Sequence, residues 1–223
     1  MSRTVGIVLA AGKGERARTT GGATNIPKQF REFRGRPLVC HALELFEESS
    51  LIDDIVIVGP SPATSWPMLP FSKIAARVTG GDSRPESVRR GLAAIPGDTD
   101  IIVVHDAVRP NATPALLARV VEAARTGGAA VPAIVSRDSL KTVLDGRVVE
   151  TVRRDAIQLA QTPQAFRRSV IENAYAAAAR RNDECADLDD AAVVEKSGAV
   201  VSVVEGEPWN LKITFDEDFE WLA

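Results

Sequence analysis

Four clusters of polar and charged residues carry the chemistry written into this chain, and each sits against an apolar run. The first follows Val5-Gly6-Ile7-Val8-Leu9-Ala10-Ala11, breaks at Gly12-Lys13-Gly14 and then turns basic. Up to residue 36, Lys13, Arg16, Arg18, Lys28, Arg31, Arg34 and Arg36 stand against only Glu15 and Glu32. An apolar strand running into a glycine turn and then into cations suits a phosphate group. Glycine lets the backbone come close, its N–H groups point at the anion, and Arg and Lys neutralise charge. The plainer alternative is a parallel strand followed by a solvated loop, since glycine turns are common in that setting.

Gly12-Lys13-Gly14-Glu15-Arg16-Ala17 matches G-x-G-x-x-A, the dinucleotide fingerprint. That fingerprint also needs a helix opening at once and a carboxylate at the end of the second strand to hold the ribose. Here the chain runs through Thr19-Thr20-Gly21-Gly22 and Pro27, and the second strand ends Ile57-Val58-Gly59-Pro60 without an acid. No GK[ST] completes a Walker loop either. Phosphate binding survives these tests, and a nicotinamide oxidoreductase does not.

The second cluster is Asp100–Pro110, DIIVVHDAVRP, in which an apolar strand delivers His105-Asp106, with Arg109 just beyond. An Asp after a strand often caps a helix, but Thr113-Pro114 already supplies a cap and first position for the next one. Asp106 is thus available to hold Mg²⁺, which takes oxygen ligands, usually one or two carboxylates plus phosphate oxygens. His105 reads as a packed residue rather than a base. The third cluster is Gly80-Gly81-Asp82-Ser83-Arg84-Pro85-Glu86-Ser87, a glycine pair leading into a helix whose first turn presents Ser87. It could equally be a plain strand–helix loop. In the fourth, Pro208-Trp209-Asn210-Leu211-Lys212-Ile213-Thr214, Lys212 lies in a short strand-like apolar run. A lysine there is costly unless it meets an anion.

The elements that must position these clusters alternate. Apolar runs at residues 4–10, 54–58, 74–78, 100–105, 128–135 and 199–204 read as strands, several of them apolar at nearly every position, as strands covered on both faces are. Helical spacing marks residues 37–48, 84–94, 113–126, 169–180 and 187–197. Repeated βα units imply an α/β fold, a mostly parallel sheet with helices on both faces and ligands at the carboxyl ends of the strands. The turn at Gly12, the loop after Thr79 and the loop after His105 then share one rim. One stretch breaks the alternation: Lys141-Thr-Val-Leu and Arg147-Val-Val-Glu-Thr-Val flank Asp145-Gly146, a two-residue hairpin signal. A lone ribbon is marginal, so a second subunit is its natural support. Residues 59–70 are proline-rich and read as a surface loop in which Trp66 packs.

The chain has 223 residues, 45% of them hydrophobic, enough for one domain over residues 1–223 with an arm at about 136–160. A net charge of −3 gives no sign of nucleic-acid or anionic-membrane binding. Cys40 and Cys185 form no CxxC, and His41 and His105 form no HExxH, which argues against zinc and for a reducing compartment. Without a signal-type segment or a long apolar run, a soluble, cytoplasmic protein is expected.

Taken together, L-A-A-G-x-G-x-R, P-K-Q-F, G-G-D-x-R-x-x-S-V, H-D-A-V-R-P, Q-T-P-Q and N-L-K-I-T resemble the polyol-phosphate cytidylyltransferases. These motifs run from Leu9 to Thr214. The family has a 2-C-methyl-D-erythritol 4-phosphate branch, which serves isoprenoid precursor synthesis by the non-mevalonate pathway. A ribitol-5-phosphate branch makes CDP-ribitol. The resemblance implies a Rossmann-like nucleotidyltransferase fold, with a β-hairpin arm pairing two subunits as a homodimer. It implies CTP on Ala10, Ala11, Gly12, Lys13 and Gly14, with Arg16 and Lys28 as catalytic cations on its phosphates and Lys212 assisting. Gly81, Asp82 and Ser87 would read the cytosine, and Asp106 would hold Mg²⁺ and approach the polyol. Arg109, Ser139, Thr162 and Thr214 match positions around the polyol phosphate. Arg154 in the arm matches an arginine that reaches the other subunit's substrate.

The reaction so implied is in-line attack of the acceptor phosphate on the α-phosphorus of CTP, with pyrophosphate leaving. Three departures bear on the acceptor rather than the chemistry. The segment between Arg16 and Lys28 is longer than the family pattern, and residues 17–26 read as a lid over CTP. Leu188 replaces the usual Thr before Asp189-Asp190, and Ser139 replaces another Thr but keeps a hydroxyl. Lys141 after Asp138-Ser139-Leu140 favours the methylerythritol branch. Residues 25–30, 105–110 and Trp209-Asn210 fit the ribitol branch as well. A non-catalytic nucleotide-binding module would be expected to lack Arg16, Lys28 or Asp106, and all three are present.

Overall fold

Apolar residues at successive positions form strands here because both faces of the sheet are covered. The computed structural model describes residues 2–12, 26–61, 66–67, 69–181 and 189–222. Lys13, Gly14, Arg16, most of the 17–26 segment, Cys185 and Leu188 lie outside the described residues.

In chain order, β1 (Arg3–Leu9) is followed by a 3₁₀ turn at Lys28–Phe30 and a small ribbon, β2 (Glu32–Phe33) and β3 (Arg36–Pro37). Next come α1 (Leu38–Glu47), β4 (Asp54–Gly59), β5 (Ile74–Thr79), α2 (Arg84–Leu92), β6 (Thr99–Asp106), α3 (Pro114–Gly127) and β7 (Ala129–Val135). The arm is β8 (Leu140–Leu144) and β9 (Arg147–Val152), followed by β10 (Gln158–Ala160) and β11 (Gln164–Arg167). The chain ends with α4 (Arg168–Arg181), α5 (Asp190–Lys196), β12 (Ser202–Glu205) and α6 (Glu217–Trp221).

The main sheet runs β10-β7-β11-β6-β1-β4-β5, with β12 also on β7. Neighbours β6, β1, β4 and β5 are parallel, as is the β12–β7 pair. Side chains alternate between two cores. Val8, Ile55, Ile57, Ile101 and Val103 meet α1 and α3 through Leu43, Phe46, Leu117 and Val121. Val5, Ile7, Val56, Val58, Ile102 and Val104 meet α2, α4 and α5 through Val88, Ile171, Tyr175 and Val194. Gly6 is required where α1 crosses, because a Cβ there would stand 2.4 Å from the Phe46 ring.

The expected strands and helices are present, with three differences. The sheet contains two unforeseen strands: β11, antiparallel between β6 and β7, and β10, which was expected in the arm but lies antiparallel on β7. The last strand starts at Ser202, after Gly198 turns with φ of 89°. The run around Lys212 is an extended segment without strand pairing, tied by Ile213 N–H to the Val108 carbonyl at 2.9 Å. The hairpin forms as expected, with Asp145 and Gly146 at φ of 49° and 74°. Trp66 packs at 7% exposure and donates to the Pro60 carbonyl at 2.7 Å.

His105, fully buried on β6, packs beside Phe46 and bonds through Nδ1 to the Thr162 hydroxyl at 2.8 Å. Burial outweighs the attraction of Asp106 and pulls its pKa down to about 4, so the ring is neutral. In the unfolded chain it titrates near 6.5. Acidification between these values protonates the unfolded state first, so stability is full above the window and falls as pH drops through it. The loss from this one group is on the order of 3 kcal/mol. Urea midpoints measured across the window should fall less steeply for His105→Asn than for the unmodified protein; equal slopes would show that His105 is not the group responsible.

Candidate active site

The carboxyl ends of the parallel strands are pinned together. Ala10 N–H donates to the Val58 carbonyl at 2.6 Å, Gly80 N–H to Gly59 at 2.8 Å, and Ala107 N–H to Leu9 at 3.0 Å. The three loops foreseen on one rim therefore meet. With Lys28, Gln29 and Lys212 they line a cleft of about 410 Å³, which includes Ala10, Ala11, Gly12, Gly81, Asp82, Arg84, Ser87 and Asp106.

The first loop is fixed from behind. Gln29, buried in the middle of the basic stretch, donates its amide to the Ala10 carbonyl and, at 3.3 Å, to Gly12. A neighbouring residue, Lys28, donates Nζ to the Ile213 and Thr214 carbonyls at 2.7 and 3.1 Å. That contact joins the P-K-Q-F segment to the C-terminal N-L-K-I-T segment and closes one wall.

The second loop packs on the first: a Cβ at Gly80 would lie 2.3 Å from the Ala11 Cβ. Ser83 caps α2 by accepting from Glu86 N–H at 3.3 Å. Ser87 Oγ accepts from Gly81 N–H at 3.1 Å and donates to the Ser83 carbonyl at 3.0 Å. Asp82 N–H donates to Glu86 Oε2 at 3.0 Å. The two backbone N–H groups expected to read a base are thus bonded inside the loop, and a bound base would have to take them over.

Asp106 is the electrostatic centre. Its Oδ2 accepts from Lys212 Nζ at 2.8 Å, and Arg109 Nε stands 3.8 Å from the same oxygen. Arg84 Nη2 stands 3.8 Å from Oδ1. Burial pushes the Asp106 carboxyl up, but Lys212, Arg84 and Arg109 outweigh it and hold the pKa well below the usual carboxylate range. Its backbone N–H donates to Thr162 Oγ1 at 3.1 Å. Lys212 has the anionic partner that its apolar flanks require.

The remaining expected residues divide. Arg109 reaches the centre and donates Nη1 to the Asn210 carbonyl at 2.8 Å. Thr162 is buried and spends its hydroxyl on His105 and the Asp106 backbone, so it backs the site rather than lining it. Thr214 lies beside Lys28 and donates its hydroxyl to the Lys212 carbonyl at 3.1 Å. Ser139 is exposed at the base of the arm, and Arg154, also exposed, donates Nη1 to the Arg137 carbonyl at 3.0 Å. Neither lines the cleft within one chain.

Gln29, Arg84, Asp190 and Tyr175 hold positions in or behind the cleft that no motif in the sequence assigns them. Arg84 Nη2 donates to fully buried Asp190 Oδ2 at 2.6 Å, and Tyr175 donates to Asp190 Oδ1 at 2.5 Å. Arg84 stood inside a quoted motif, and Tyr175 is the chain's one tyrosine. No local pattern links either to an aspartate so distant in sequence.

Among the described residues, no group of three or more His, Cys, Asp or Glu side chains is gathered for a metal. Asp106 Oδ1 accepts no hydrogen bond from a described residue. One carboxylate beside the strand end that leads into the glycine turn fits Mg²⁺, which completes its shell with water and with phosphate oxygens of a bound nucleotide.

The family model for 2-C-methyl-D-erythritol 4-phosphate cytidylyltransferase matches residues 4–222. The enzyme of that name from Syntrophus aciditrophicus is 38% identical, over 97% of this chain and 92% of that protein. The one from Pelotomaculum thermopropionicum is 39% identical, over 98% of this chain and 92% of that protein. The crystal structure of Francisella tularensis 2-C-methyl-D-erythritol 4-phosphate cytidylyltransferase superposes with a TM-score of 0.84 at 28% identity, covering 99% of this chain and 98% of that one. Sequence and fold agree along nearly the whole length, and the chain belongs to the 2-C-methyl-D-erythritol 4-phosphate cytidylyltransferase family.

Proposed function

We propose that this protein is a CTP-dependent cytidylyltransferase. It moves the cytidylyl group of CTP onto the phosphate of 2-C-methyl-D-erythritol 4-phosphate, giving 4-diphosphocytidyl-2-C-methyl-D-erythritol and pyrophosphate for isoprenoid precursors. The observation that carries this reading is the Asp106–Lys212 pair, set among cations at the strand ends that also present the glycine turn. The relatives' names point to the methylerythritol acceptor and do not favour ribitol 5-phosphate.

In this reading Ala10, Ala11, Gly12, Lys13 and Gly14 cradle the triphosphate. Gly81, Asp82 and Ser87 hold the cytosine. Arg109, Ser139, Thr162 and Thr214 surround the acceptor, directly or through Asp106. An acceptor phosphate oxygen attacks the α-phosphorus in line. The new P–O bond forms as the bond to the bridging oxygen breaks, and pyrophosphate takes the electron pair. No covalent enzyme intermediate is needed. Two anions must be brought together, so positioning and cations are the catalysis. Arg16 and Lys28 neutralise the crowded phosphates, and Lys212, while donating to Asp106 Oδ2, offers another N–H to the α-phosphate. Asp106 would hold Mg²⁺, which when bound neutralises charge on the triphosphate oxygens.

The arm belongs to the same proposal. Val143, Leu144, Val148 and Val149 are 57–66% exposed on a ribbon that stands apart from the main sheet. A second copy of the chain would cover them and receive Arg154 at its own acceptor site, making the enzyme a homodimer. No described helix is long and apolar enough to cross a membrane, and Cys40 is a buried free thiol, which suits a reducing cytoplasm.

Pyrophosphate release should require CTP, Mg²⁺ and methylerythritol 4-phosphate, with ribitol 5-phosphate and sugar 1-phosphates far slower. Release with none of them would refute the enzyme reading, and faster release with ribitol 5-phosphate would change the acceptor. Arg16→Ala, Lys28→Ala and Lys212→Ala should each lower kcat by roughly 10²–10³ while thermal unfolding confirms a folded protein; a folded variant with unchanged kcat would remove that residue from the catalytic set. Leu144→Lys combined with Val148→Lys should convert dimer to monomer in analytical ultracentrifugation, whereas an unchanged mass would place the interface elsewhere.

A further inference from the structure

Asp190 is fully buried, yet it touches neither the cleft nor solvent. Its two oxygens are spent on Tyr175 Oη at 2.5 Å and Arg84 Nη2 at 2.6 Å. It opens α5, whose start is fixed by Gln164. That amide donates to Asp189 Oδ2 and accepts from Ala191 N–H, both at 2.9 Å. Burial and the neighbouring carboxylate push the Tyr175 hydroxyl up, so it remains a donor. Asp190 is therefore clamped on three sides.

Arg84 lines the cleft, and its bond to Asp190 is the one hydrogen bond its guanidinium makes among the described residues; Nη1 is buried without a partner. The same Nη2 stands 3.8 Å from Asp106 Oδ1. That gap is about 1 Å longer than a charge-assisted hydrogen bond. Without Asp190, the nearest anion to Arg84 would be Asp106, and the guanidinium would close on it. Lys212 already occupies Oδ2, and Arg109 is drawn aside by the Asn210 carbonyl. Closure by Arg84 would leave Asp106 with no oxygen to offer.

We propose that Asp190, braced by Tyr175, is a positioning residue that holds Arg84 back from Asp106 and so keeps Asp106 Oδ1 open to the divalent cation and substrate. Nothing about Asp190 requires contact with substrate. The proposal rests on the reading of Asp106 as the cation-binding carboxylate. Its chemistry is competition: a fixed guanidinium and a divalent cation vie for one carboxylate oxygen, and a buried counter-charge decides the outcome.

The test uses full-length protein with CTP and Mn²⁺ as the probe, counting free ion by electron paramagnetic resonance, and reads the Mg²⁺ dependence of turnover alongside. Asp190→Asn should weaken Mn²⁺ binding at least about fivefold and raise the half-saturating Mg²⁺ equally, with Tyr175→Phe about twofold in the same direction. Adding Arg84→Gln to Asp190→Asn removes the competing cation together with its restraint. The double variant should regain Mn²⁺ affinity to within about twofold of the unmodified protein. A purely structural role would give no such recovery. Unchanged Mn²⁺ affinity in Asp190→Asn, or a double variant as weak as the single, would overturn the proposal. If Asp190→Asn does not fold, Tyr175→Phe and the double variant decide it by the same criteria. Asp106→Asn in the same assay separates the two readings, because unchanged Mn²⁺ affinity there would dismiss Asp106 itself.

Discussion

The ion pair between Asp106 and Lys212 is the constraint that organises the site. It joins the end of β6 to a C-terminal segment that has no sheet pairing of its own. That segment stays in place through contacts to the front of the chain: Lys28 on the Ile213 and Thr214 carbonyls, and Ile213 N–H on Val108. A buried carboxylate is tolerated only when cations offset its lost hydration, and stranding one charge of such a pair costs roughly 3–5 kcal/mol. Asp106 is over-supplied, with Lys212, Arg84 and Arg109 all facing it. The excess positive charge leaves the cleft short of an anion, as a site for phosphates should be.

Behind the charged centre lies a layer of neutral hydrogen bonds that fixes geometry without competing for substrate. Thr162 links the His105 ring to the Asp106 backbone. Gln29 holds the first loop by its carbonyls, Gln161 ties Glu207 and Asn210, and the Asn210 amide returns to the Thr162 carbonyl at 2.8 Å. All of these side chains are buried, where a satisfied amide or hydroxyl gives direction and an unsatisfied one is expensive. His105, adjacent to the key carboxylate, is one of them: burial keeps it neutral and removes it from acid–base work.

Much of the scaffold was legible because doubly covered strands carry unbroken apolar runs, and β1, β4, β6 and β7 have them. Asp145-Gly146 announced the arm because two positive-φ residues in succession suit few other structures. β11 was not legible. It spans four residues, Gln164 to Arg167, with polar ends, and it becomes a strand only because β6 and β7 offer open edges on both sides. The same applies to Lys212, whose run resembles a strand in sequence but pairs with no strand among the described residues.

At the site, the sequence by itself determined the chemistry. Glycines after a strand, clustered cations, a carboxylate at a strand end and a lysine among apolar neighbours are properties of residue type and spacing. They pointed to a phosphate-handling cleft, with an ordinary solvated loop as the alternative. Tertiary structure alone decided which charges meet. Asp106 and Lys212, like Arg84 and Asp190, are partners separated by 106 positions, and Tyr175 has no local signal at all. Coulombic and hydrogen-bond energies depend on distances of a few ångströms between side chains. Spacing along a chain sets such distances within one helix or strand, but between elements they are set by how the sheet and its helices pack.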